Sequence, residues 1–221
     1  PSSKSPHFSR TMEFILLLLS FLLLSSTATS SSSDAVLDWE GNEVRSGQLY
    51  YAVSTCTRGC AGGLRMESPE GQRCPLFVAK GRFNDVNGQP LMFFPENKRD
   101  DIVRVGSTVY VKFAEPTPCA ESTTWRFDNS NNAVVTGGTT SSNMGPHDSR
   151  FSLFNTGMGY KIKPCPCSSG RPACLLPCLG DLGVVEGKLQ RQLGVNDIPH
   201  VFHLMPANTG KTELVTRSES E

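Results

Sequence analysis

Short apolar or alternating runs recur along the whole chain, at residues 76–79, 91–94, 102–105, 109–113, 125–127, 151–154, 160–162, 184–185 and 201–204. Turn-forming pairs separate them, among them Asn87-Gly88, Gly137-Gly138 and Glu186-Gly187. Alternation with a period of two gives a short strand one face to bury, while 20 Gly and 15 Pro interrupt any helical pattern of useful length. The pattern predicts an all-β protein. Spacing alone does not choose between a sandwich and a closed barrel, because both use many short strands to limit exposed edges. No internal repeat is visible by eye.

The two ends depart from this pattern. Residues 14–24 are almost wholly apolar and are followed by a Ser, Thr and Ala stretch to residue 33. That run is too short to cross a bilayer as a helix, and small residues such as Ala28 and Ser30 suit a signal peptidase, so a secretory signal peptide is expected, with Met12 as its start. Residues 1–33 are therefore read as upstream sequence and leader, removed on secretion. Residues 34–206 have the length of one domain with one sizeable core. The tail, 207–221, is polar and buries too little to offset the entropy of ordering it.

Charge removes several classes of partner. The chain carries 21 basic and 21 acidic residues, and the balance survives loss of Lys4, Arg10 and Glu13 with the leader. No chain-wide field favours nucleic acid, or a membrane once the signal is gone, so binding must be local. All eight cysteines, Cys56, Cys60, Cys74, Cys119, Cys165, Cys167, Cys174 and Cys178, follow the leader. An even count behind a signal peptide points to disulfides, with roughly a hundred pairings open. A zinc site on the last four is the weaker reading, since oxidised thiols cannot ligate and the spacing is not a pair of Cys-x-x-Cys knuckles. No metal and no cofactor are expected. His147-Asp148-Ser149 holds the residue types of a hydrolase triad, but neighbours on one turn cannot converge on a substrate. His200 and His203, three apart near the final strand, face opposite sides and are read as ordinary histidines rather than ligands.

The start of the mature chain is more specific. Val36-Leu37-Asp38, Glu40-Gly41-Asn42, Gly47 and Tyr50-Tyr51, in that order, resemble the N-terminal signature of the plant Kunitz-type inhibitors, the soybean trypsin inhibitor family, which includes miraculin-like proteins. The resemblance implies a β-trefoil: twelve strands in three pseudo-symmetric units, six closing a barrel and six capping it, stabilised by disulfides. It also implies pairing of Cys74 with Cys119 and of Cys165 with Cys178. Cys56 with Cys60 and Cys167 with Cys174 would then be local staples.

A charged connection, Pro-Glu-Asn-Lys-Arg-Asp-Asp at residues 95–101, lies between two apolar runs and must stand out in water. The resemblance makes it the reactive-site loop between the fourth and fifth strands. Counting back from Tyr110-Val111-Lys112-Phe113 puts Arg99 at P1, Lys98 at P2 and Asp100 at P1′, flanked by Asn97 and Asp101; a shift of one residue would put Lys98 at P1. Ser46 stands where the family often places an asparagine that braces the loop. The implied protein is not an enzyme. It is a monomeric, secreted or vacuolar inhibitor whose partner is a trypsin-like serine protease and which acts by a substrate-like mechanism. The alternative on the same scaffold is a non-inhibitory storage, defence or miraculin-like protein.

Overall fold

The computed structural model describes residues 34–55, 62–82, 84–140, 149–166, 178–189 and 191–207. The leader, Cys56, Cys60, Cys167, Cys174, His147 and Asp148 lie outside these residues, as does the tail beyond Ala207. Among the described residues there are twelve strands and no helix: β1 Tyr50–Ser54, β2 Leu64–Glu67, β3 Phe77–Lys80, β4 Leu91–Pro95, β5 Thr108–Phe113, β6 Trp125–Asp128, β7 Ala133–Thr136, β8 Phe151–Asn155, β9 Tyr160–Pro164, β10 Leu182–Val185, β11 Gln192–Val195 and β12 Phe202–Pro206.

Six strands close a barrel in the order β1-β12-β9-β8-β5-β4, and every pairing is antiparallel. The other six form hairpins, β2 with β3, β6 with β7 and β10 with β11, joined through β3 into one capping sheet. Each run of four strands thus sends its outer two to the barrel and its inner two to the cap. Repeated three times, this is the β-trefoil that the resemblance implied.

Alternation accounts for the barrel strands. In β4 Leu91 and Phe93 point inward, in β9 Tyr160 and Ile162, and in β12 Phe202 and Leu204. The barrel and cap share one core, in which Trp125 meets Phe113 and Phe151 with ring centroids 5.7 and 5.8 Å away. Burial of such rings outweighs the entropy lost by short strands that would not persist singly.

The pattern missed β1, β2, β7 and β11, and it misplaced residues 102–105. Glycines shorten the visible pattern of β10 and hide β11: a Cβ at Gly183 would clash with the Ile198 carbonyl oxygen, and one at Gly194 with that of Asn132. Close backbone approach admits no side chain there, so the alternation disappears. Residues 102–105 make only single bridges, Ile102 to Arg45 and Arg104 to Ala35, because their partner is the irregular N-terminal segment rather than a strand. That segment reverses at Glu40-Gly41-Asn42: Gly41 takes φ 87°, and the Asp38 carboxylate accepts from the Glu40 and Asn42 amides at 3.0 and 2.9 Å.

Among the described residues two disulfides join Cys74 to Cys119 and Cys165 to Cys178, closing loops of 45 and 13 residues in sequence separation. The longer one stabilises the fold by about 4 kcal/mol on the chain-entropy model.

His200 is buried, with Nε2 unpartnered, and lies at the foot of β12, whereas His203 on β12 is exposed. Burial, with a smaller contribution from the Lys80 ammonium, lowers the His200 pKa from 6.5 to about 4. Below pH 6.5 the unfolded chain therefore takes up a proton that the folded one refuses. Stability present above 6.5 falls until about pH 4, by about 3 kcal/mol in all. Urea denaturation at pH 7, 5.5 and 4.5 should show this slope in the parent and lose most of it in His200→Leu.

Candidate functional site

Pairing of β4 with β5 sets Pro95 opposite Val109, so residues 96–107 leave and re-enter the barrel at one strand spacing. The N-terminal segment receives this excursion. Val36 N donates to Val103 O at 2.8 Å, and Val103 N donates to Val44 O at 2.9 Å. Val36, Val44 and Val103 are fully buried, which fixes the descending limb of the loop to the barrel.

At the base, Glu96 N donates to Thr108 O at 2.9 Å. The Glu96 carboxylate accepts from Arg150 Nε at 2.7 Å and from the Tyr110 hydroxyl at 3.5 Å. Only 3% of the Arg150 side chain is exposed, and its Nη1 also donates to Pro166 O at 3.2 Å, beside the Cys165 to Cys178 bridge. The small disulfide loop therefore supports the foot of the excursion through one guanidinium.

The tip is a tight turn. Asp100 N donates to Asn97 O at 2.9 Å, and Asn97 Oδ1 accepts from Arg99 N at 3.3 Å. Lys98 and Arg99 occupy the two central positions, and both are exposed.

The acidic pair after Arg99 has partners within the protein. Asp100 accepts from Ile102 N at 3.2 Å and from Arg104 Nε at 3.0 Å, with both charged side chains 28% exposed. Asp101 is more open, but its carboxylate accepts from Arg45 Nη1 at 3.2 Å. Lys98 and Arg99 are thus the cations at the tip, with every acid of the loop turned to a neighbouring arginine.

Ser46 reaches the loop through its backbone, where its amide donates to Asp101 O at 2.8 Å. The Arg45-Ser46 turn is held in place by Tyr50, whose hydroxyl accepts from Arg45 N and donates to Gln48 Oε1, each at 3.1 Å. Burial raises the pKa of that phenol above its usual 10. Ser46, Phe94 and Tyr110 line, together with residues of the loop, a concavity of about 650 Å³.

The structure brings Asn97, Lys98, Arg99, Asp100, Asp101 and Ser46 together. Sequence reasoning missed Arg45, Arg104 and Arg150. The last is 54 residues from Glu96, and nothing local marks it as a loop support. Ser149 is buried and accepts from Thr139 N at 3.0 Å, as a structural residue would. Among the described residues no cluster of three or more His, Cys, Asp or Glu could hold a metal ion.

Comparison with known proteins gives a consistent result. Residues 36–205 match the model of the legume Kunitz family, described as trypsin and protease inhibitors. A trypsin/chymotrypsin inhibitor of Alocasia macrorrhizos is 46% identical over 187 residues, covering 80% of this chain and all of that protein. Miraculin of Synsepalum dulcificum is 35% identical over 189 residues, covering 79% of this chain and 84% of its own. The crystal structure of alocasin, a protease inhibitor from giant taro (Arum macrorrhizon), superposes with a TM-score of 0.72 at 47% identity, covering 79% of this chain and 99% of that one.

Glu96→Gln should leave the nearly inaccessible Arg150 guanidinium without its carboxylate and lower stability by about 3 kcal/mol. Arg99→Ala, at the solvated tip, should change it by less than about 0.5 kcal/mol. Denaturant titration of both variants checks the contrast.

Proposed function

Because the chain belongs to the legume Kunitz family of trypsin and protease inhibitors, whose members are inhibitors rather than enzymes, we propose that it blocks trypsin-like serine endopeptidases with Arg99 offered as P1. The observation that carries this reading is the segregation of charge on the loop. Two cations stand in solvent at its tip, while its acids are engaged with Arg150, Arg104 and Arg45.

An S1 pocket of the trypsin type holds a buried carboxylate, which pairs with a guanidinium in charge-assisted hydrogen bonds. The loop would then lie in the cleft as a substrate does, with the Arg99 to Asp100 peptide bond against the protease serine. Extended docking of this kind opens the turn bond between Asp100 N and Asn97 O, at a cost of about 1 kcal/mol. The flanks need no such change, since Glu96 and residues 101–103 are already tied to the barrel. Ordering both flanks before contact is what lets a small interface bind tightly.

Disulfides persist in oxidising compartments, which supports a secreted or vacuolar location for this monomer. A second reading, a non-inhibitory miraculin-like or storage protein, is favoured by the closed turn at the tip and by the likeness to miraculin.

Titration of the mature protein against trypsin, chymotrypsin, subtilisin and papain separates the two. Stoichiometric inhibition of trypsin is expected, with Arg99→Ala weakening it at least about thirtyfold and Lys98→Ala changing it by less than about threefold. Full trypsin activity at stoichiometric dose would favour the second reading, and loss confined to Lys98→Ala would move P1 by one residue.

A further inference from the structure

We propose that Asp100 and Arg104 form a positioning pair that holds the primed side of the scissile bond, so that a cleaved loop rejoins instead of drifting apart. The proposal rests on the reading of residues 96–101 as a protease-binding loop with Arg99 at P1. Neither residue is given this role by the family likeness, which places a loop-bracing side chain at position 46 and there finds only a serine whose amide, not its hydroxyl, meets the loop.

The geometry is specific. Asp100 uses both carboxylate oxygens inward, Oδ1 on the Ile102 amide at 3.2 Å and Oδ2 on Arg104 Nε at 3.0 Å. Arg104 is itself set by the bridge of its backbone to Ala35 and by burial of the adjacent Val103. Asp101 adds a parallel tie through its carbonyl to Ser46 N and its carboxylate to Arg45. The residue that follows the scissile bond is thus tied by both carboxylate oxygens to the descending limb of the loop, which the N-terminal segment holds in turn.

The chemistry explains why that matters. When the protease serine attacks, its oxygen bonds to the Arg99 carbonyl carbon, the C–N bond to Asp100 breaks, and the serine proton ends on the departing Asp100 amine. If that amine stays in place, it can attack the acyl carbonyl and reform the peptide, returning the proton and the serine. If it swings away, water enters instead, the acyl-enzyme hydrolyses and the loop is spent. Asp100 is the amine-bearing residue, so a clamp on its side chain acts on the atom that decides between the two outcomes.

The test uses the mature, disulfide-bonded protein and trypsin. Arg104→Gln should associate with trypsin at a rate within about twofold of the parent, because Arg104 need not touch the enzyme. Its Arg99 to Asp100 bond should be cleaved at least about tenfold faster, seen as recovery of trypsin activity with time and as a new Asp100 amino terminus. Arg104→Lys should restore part of the resistance. Asp100→Asn should be cleaved as fast as Arg104→Gln, and the double variant no faster than either. Linear peptides of residues 95–104 carrying Asp or Asn at position 100 calibrate the intrinsic preference of trypsin at P1′.

Resistance unchanged in Arg104→Gln, or strictly additive effects in the double variant, overturns the clamp while leaving the inhibitor reading intact, provided Arg99→Ala still weakens inhibition at least about thirtyfold. A smaller weakening by Arg99→Ala overturns the underlying reading instead. If Arg104→Gln does not fold, Asp100→Asn decides alone: cleavage no faster than the peptide calibration predicts sinks the proposal.

Discussion

Five consecutive antiparallel pairs, from Leu91 with Phe113 to Pro95 with Val109, bind β4 to β5 within the closed barrel. Any chain between them must leave the surface and return one strand width away, whatever its own preferences. The loop ends are therefore as rigid as the barrel, and the barrel is rigid because closure leaves no edge free and fills its middle with aromatic rings. What the loop can do follows from that fixed span.

Within the span, electrostatics divides the labour. Among the described residues, Glu96 with Arg150 is the least exposed ion pair of the loop, at its foot, where losing the carboxylate leaves a buried guanidinium that cannot be rehydrated cheaply. Asp100 with Arg104 and Asp101 with Arg45 lie progressively nearer solvent and are individually weaker. Their value is directional: they decide which charges face outward. A run of seven residues of mixed sign becomes a basic tip on an internally neutralised stem, which a proteolytic cleft built for a cation can accept without facing the acids.

The N-terminal segment turns out to matter as much as the loop. Tyr50 holds the Arg45-Ser46 turn, that turn holds Asp101, and Val36 and Val44 close over Val103. The same segment that made the start of the chain distinctive therefore buttresses the proposed contact surface, through main-chain bonds that tolerate Ser46 in place of a longer side chain. The resemblance pointed to position 46 as a side-chain brace, whereas here its amide serves.

Alternation at 91–94, 109–113, 151–154 and 160–162 already specified β structure and which faces turn inward, because a two-residue period is a property of the strand itself. The isolated charged stretch at 95–101 was legible as a surface excursion for an equally local reason, since unpaired charges do not stay buried. The sequence could not show that β7 is buried on both faces, that Gly183 and Gly194 mark strands pressed against other backbone, or that Arg45 and Arg150 converge on one loop. Those depend on which segments closure of the barrel brings together across tens of residues, and no local period encodes a partner at that distance.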